Sequence, residues 1–182
     1  MNSSTKWISV SKLDAARRQV EVAIRLYFNS DDPVSLHTLT AASYNLLRDI
    51  SSHLDAPRMF AKDMMFDFLT DKGKLVWKRG MNEAENFFKH ADRDTEENLV
   101  FDPGMSELFL WEACTQYARI TGEEPPLLKL YNYWFFLRHQ TLFDLPEDQK
   151  SKIVSLVRFS ENLPRENYMA EFLPLKMKRP GH

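Results

Sequence analysis

Residues 16–50 read ARRQVEVAIRLYFNSDDPVSLHTLTAASYNLLRDI, and the fold follows from how this stretch is divided. Before the Asp31-Asp32-Pro33 step, Ala16, Val20, Ala23, Ile24 and Tyr27 recur three and four residues apart, the period of one helical face. Ser11-Lys12-Leu13-Asp14 supplies the start, with a hydroxyl for a free amide and a carboxylate in the first turn. Asp32 followed by Pro33 is a second start signal, because proline at the first helical position loses no hydrogen bond. After it Leu36, Leu39, Ser43, Leu46, Leu47 and Ile50 form another stripe, and the small residues Ala41, Ala42 and Ser43 permit a close crossing. The spacing predicts two long helices packed side by side.

The same reading extends outward. Glycine is scarce, at five residues, and helical period dominates. A shorter helix is expected over about 57–69 and a fourth over about 74–91, carrying Leu75, Trp77, Met81, Ala84, Phe87 and Phe88. Asp102-Pro103 opens a fifth that runs to Gly122, and Pro125-Pro126 a sixth that includes Tyr131, Tyr133, Trp134, Phe135 and Phe136. Pro146-Glu147-Asp148 opens a seventh with Ile153, Leu156, Val157 and Phe159 on its apolar face. From Leu163 the chain is expected to turn irregular and to end basic, at Lys176, Lys178 and Arg179. The fold class is therefore all-α, an up-and-down bundle of six or seven helices. One domain spans 1–162, with an irregular basic tail over 163–182.

The bulk properties fit a globular chain of 182 residues, 43% hydrophobic and 27% charged. A net charge of −2 makes no overall electrostatic case for nucleic acid and leaves only local basic patches. Cys114 is the single cysteine, so no intrachain disulfide can form; with no apolar run of signal-peptide or membrane-spanning length, a cytoplasmic location away from membranes is expected. The chain holds no glycine-rich phosphate loop, no serine between paired glycines, no His-Glu-x-x-His and no repeated Glu-x-x-His.

Residues 86–94, NFFKHADRD, concentrate the polar chemistry. Asn86 and His90 are four apart and share a helical face, with Arg93 continuing the row. An imidazole titrating near neutrality can move a proton, and an amide beside it can orient it or hold a phosphate oxygen. The same residues also suit a helix end, where His90 and Arg93 favour the dipole and Glu85 pairs with Lys89 across one turn.

Residues 16–50 resemble the opening helix pair of the HEPN superfamily, and the resemblance extends over about 11–94. In HEPN ribonucleases an arginine is followed by a polar residue such as asparagine, then three residues, then histidine. Asn86 and His90 fall at the asparagine and histidine places, and Glu85 occupies the arginine place. The resemblance implies metal-independent cleavage of RNA by attack of the 2′-hydroxyl, with the arginine on the phosphate. A carboxylate at Glu85 opposes that role, so the leading expectation is a catalytically degenerate HEPN-like binding or regulatory module, working as a homodimer in a stress or defence setting. The alternative is a ribonuclease that uses His90 and Asn86, with Lys89 or Arg93 as the relocated cation.

Lys74, Lys78 and Arg79, with Lys72, form the basic run expected to touch an RNA backbone. A second alternative places a small ligand or metal between His37 and His90; His37 also reads as a hydrogen-bonded residue at the edge of the core, in line with Ala41 and Tyr44. The aromatic helix around Tyr133 and Trp134 reads as core or dimer interface rather than a base-stacking face. The leading reading uses neither cofactor nor metal.

Overall fold

The computed structural model describes residues 7–29, 32–91, 95–143 and 163–177. Six α-helices occur among them: α1 (Lys12–Phe28), α2 (Pro33–His53), α3 (Asp71–Lys89), α4 (Met105–Thr121), α5 (Pro126–Arg138) and α6 (Arg165–Met177). No strand is formed among the described residues, and the architecture is an all-α bundle.

The first two helices begin where their caps dictate. The Ser11 hydroxyl accepts from the Asp14 amide at 3.0 Å, and the Asp32 carboxylate accepts from the amides of Val34 and Ser35 at 3.4 and 2.8 Å. α1 lies along α2, α2 against α4, and α4 against α5, while α6 lies on α5 and α1. The main core is built from Val20, Ile24 and Phe28 of α1, Leu47 of α2, Leu110 of α4 and Leu130 of α5. Tyr44, Met59, Ala61, Met81 and Phe109 form a second buried cluster beneath α3.

Gly122 adopts φ +71° and closes α4 in the left-handed conformation that favours glycine. At the other end, Asp102 does not open α4 directly. Its carboxylate accepts from the Gly104 amide at 2.8 Å in a turn, and the helix starts at Met105.

Three expectations need correction. The helix predicted over 57–69 is a turn at 60–63 followed by a short 3-10 segment, Met64–Phe68. Distant side chains take the amides a helix would have used. The Glu112 carboxylate accepts from the backbone N–H groups of Phe60 and Ala61, and the Tyr44 hydroxyl accepts from that of Lys62. α3 starts three residues early, at Asp71, because the Thr70 hydroxyl caps it by accepting from the Gly73 amide at 3.2 Å.

Residues 165–177 of the expected irregular tail form α6. Tyr168 is buried there, stacked on Phe28 at 5.6 Å and on Phe172 at 4.5 Å. Aromatic burial against α1 overrides the proline at position 174, which costs one intrahelical hydrogen bond. The predicted seventh helix, at 146–159, lies outside the described residues, as do Lys178 and Arg179.

Candidate functional site

The exposed face of α3 presents Lys78, Asn82 and Asn86 at successive four-residue steps, and His90 follows just past the end of the helix. These residues line one side of an open groove of about 930 Å³, and Glu97, Asn98 and Leu99 line the other. Asn86 and His90 both line this groove, Asn86 from the last turn of the helix and His90 from just beyond its end. α3 ends at Lys89. His90 leaves the helical conformation with φ −130° and ψ 136°, and its N–H donates to the Asn86 carbonyl at 3.0 Å. Both side chains are exposed, and neither has a hydrogen-bond partner among the described residues. Arg93 lies outside the described residues.

Glu85 points the opposite way. Its carboxylate accepts from Lys62 Nζ at 3.1 Å, Asn45 Nδ2 at 2.6 Å and Lys89 Nζ at 2.7 Å, and the residue is buried beneath α3. Burial alone pushes this carboxyl up. The Lys89 hydrogen bond, the Lys62 charge and the Asn45 amide outweigh burial and hold the group at about 2. Lys62, also buried, is pushed down by desolvation against the pull of Glu85. Lys89 is thus a partner of Glu85 rather than a cation facing Asn86 and His90.

The basic run divides. Lys78 and Arg79 line the groove, and Arg79 Nη2 stands 3.7 Å from Glu83 Oε1. Lys74 pairs with Asp71 at 3.6 Å near the start of α3, away from the groove lining. With Glu83 and Glu97 among its walls, the groove is close to charge balance rather than strongly basic.

His37 and His90 do not share a site. His37 lies inside the bundle, 3% exposed, with Nδ1 at 3.0 Å from the Ser106 hydroxyl and its ring edge-on to Phe88 and Phe101. Desolvation lowers its pKa, with Glu85 pulling the other way, so the ring is neutral. It lines a separate cavity of about 190 Å³. Among the described residues, no group of three or more His, Cys, Asp or Glu side chains is placed to hold a metal ion.

The aromatic helix α5 is chiefly core. Tyr131, Trp134 and Phe135 are buried, and Trp134 Nε1 donates to the Tyr27 hydroxyl at 3.0 Å, whereas Tyr133 is 39% exposed. None of the helices of the described residues is long and apolar enough to cross a membrane.

Sequence reasoning missed the buried polar groups that organise the site. Glu112 joins Tyr44 to the 60–61 amides, Lys62 joins Glu85 to Asn45, and Gln116 Nε2 donates to the Ser51 hydroxyl and the Pro57 carbonyl. One signal was present: Glu85 sits four residues after Met81, in phase with the apolar stripe of its helix. No protein-family model, characterised protein or solved structure matches the chain.

Proposed function

We propose that this protein is a HEPN-like helical binding module that engages RNA along the α3 groove without cleaving it. The observation that carries this reading is the inward orientation of Glu85. A ribonuclease of the pattern that Asn86 and His90 resemble needs a cation on the scissile phosphate. Here the residue at the cation's place is a buried carboxylate, and Lys89, the nearest substitute along the helix, is bonded to it. What remains facing solvent is a row of hydrogen-bonding groups, Asn82, Asn86 and His90, with Lys78 beside it and the Phe87 ring in the lining. Amides and an imidazole can bond phosphate oxygens, 2′-hydroxyls and unstacked base edges, and a ring can stack on a base.

The near-neutral charge of the groove supports weak, salt-sensitive attachment with a contribution from Lys78 rather than tight electrostatic capture. Titration of a fluorescein-labelled single-stranded RNA in low salt tests the reading. Anisotropy should rise for wild type, and Lys78→Glu should weaken binding several-fold while circular dichroism stays unchanged. No rise with wild type, or equal binding by Lys78→Glu, would overturn it.

The ribonuclease reading is the second one, and the open pairing of Asn86 with His90 in a single groove favours it. Homodimerisation also belongs to the proposed reading. Since Trp134 is core, light scattering on a Tyr133→Ala variant is the appropriate check of α5 in self-association.

A further inference from the structure

Between α2, the 57–68 segment and α3 lies a polar pocket of about 380 Å³, open to solvent and of a size common among ligand sites. It shares Lys78 and Asn82 with the α3 groove and no other described lining residue. Cations reach it from three elements: Arg48 from α2, Arg58 and Lys62 from the loop, and Lys78 from α3. Among its described lining residues Asp63 is the one carboxylate.

The fold does not balance these charges. Arg48 pairs with Asp63 at 2.6 Å, Arg58 with Asp67 at 2.7 Å, and Lys62 shares Glu85 with Lys89. With Lys89 counted, five cations face three carboxylates, an excess of two positive charges. Lys78 has no ion-pair partner among the described residues. Arg48 bonds through Nε alone, so both its terminal nitrogens are donors without an acceptor among the described residues. Besides desolvation, the charges of Arg48 and Lys89 push the Lys62 ammonium down, against the pull of Glu85. Like charges gathered in this way repel one another until an anion joins them.

We propose that this pocket binds a phosphomonoester, which carries nearly two negative charges at neutral pH and so matches the excess. The terminal nitrogens of Arg48 and the Lys78 ammonium hold the phosphate oxygens, and the half-buried Phe66 ring packs against the attached base or sugar. A mononucleotide meets these requirements by itself, so the site stands apart from RNA binding in the groove. Because Lys78 and Asn82 belong to both cavities, the terminal phosphate of a groove-bound RNA is a second source of the same group.

NMR titration of the ¹⁵N-labelled full chain in low salt, with adenosine 5′-monophosphate and with adenosine, tests this. The nucleotide should bind about tenfold or more tightly than the nucleoside, the increment of charge-assisted hydrogen bonds. Arg48→Gln should lose about tenfold in nucleotide affinity with its circular dichroism unchanged. Lys78→Gln should also lose affinity, and its side chain has no hydrogen-bond or ion-pair partner among the described residues whose loss would disturb the fold. Arg25→Gln, an equal charge change on the exposed side of α1, should bind as wild type does. RNA oligomers with a 5′-phosphate or a 5′-hydroxyl separate the two sources. A preference for the phosphate that Arg48→Gln loses assigns the site to RNA ends; equal binding of the two oligomers, with the nucleotide still bound, assigns it to a mononucleotide. No saturable shift with the nucleotide at millimolar concentration overturns the proposal, even where RNA still binds the groove. Equal affinity for nucleotide and nucleoside overturns it as well. So does full affinity in both Arg48→Gln and Lys78→Gln, or a loss in Arg25→Gln as large as theirs.

Discussion

Lys62 Nζ lies 3.1 Å from Glu85 Oε2, and the two side chains are 8% and 9% exposed. This pair joins the 57–63 loop to α3 beneath the second core cluster, in a place where water cannot compensate a missing partner. Lys62→Met should therefore destabilise the protein by about 3 kcal/mol, read from the urea midpoint. The double variant Lys62→Met/Glu85→Leu should be less destabilised than Lys62→Met alone, because the buried carboxylate that loses one of its two cations is removed as well. A double variant that loses the sum of two independent penalties would show that the pair is not coupled.

The pair also sets an acid limit. The Glu85 carboxyl ordinarily titrates at 4.5 and is held at about 2 in the folded protein. A depressed carboxyl contributes stability that is fully present above its unfolded pKa and lost as pH falls through the folded one. Roughly 3 kcal/mol should thus disappear between about pH 4.5 and pH 2. Glu112 acts in the opposite sense: desolvation raises its pKa, so its contribution declines as pH climbs above the ordinary carboxylate range. Urea midpoints measured from pH 2 to 7 should show wild type and Glu85→Gln far apart at neutrality and converging at the acid end. Parallel curves would contradict the assignment.

Restoring the arginine that the HEPN pattern calls for should not restore an active site. Glu85→Arg would set a third cation among Lys62 and Lys89 in the interior, with no carboxylate to pair them, at a cost of about 3–5 kcal/mol. The measurable result is a large drop in the urea midpoint without cleavage of RNA. A stable variant that cuts RNA would mean that this position can reach the groove.

How much of this was legible in the sequence depends on where the determining partners lie. α1 and α2 are specified locally, by Ser11, Asp32 and Pro33 and by apolar stripes within each helix, and they form where expected. Residues 57–69 carry Met and Phe at helical spacing, yet their amides bond to Glu112 and Tyr44, 51 and 18 residues away for Ala61 and Lys62. Likewise Tyr168 becomes a helix residue through Phe28 and Trp134, which no window around position 168 contains. Asn86 and His90 lie four residues apart at the end of α3, so bringing both to the groove needs no distant partner. The inward turn of Glu85 depends on Lys62 and Asn45, and only the folded chain brings these to it.

Tyr168 accordingly offers a test of the last helix. Its ring contacts Phe28, Trp134 and Phe172, so Tyr168→Ala should cost about 3–5 kcal/mol, as large buried aromatics do. A change below about 1 kcal/mol in chemical denaturation would show that α6 is not docked on α1 and α5.

Gly80 predicts a change in the other direction. It lies within α3, and a methyl group built there meets nothing within 4 Å. Gly80→Ala should stabilise the protein by about 0.5–1 kcal/mol through helix propensity and a less flexible unfolded chain, with a matching rise in Tm. A fall in Tm would reveal a backbone requirement at this position.

The central claim is that the Asn86–His90 face binds RNA without cutting it, and incubation of labelled RNA with the purified protein in EDTA tests it most directly. Wild type and His90→Ala should both leave the RNA at full length. Fragments produced by wild type and absent with His90→Ala would contradict the account and make the protein a metal-independent ribonuclease in spite of Glu85.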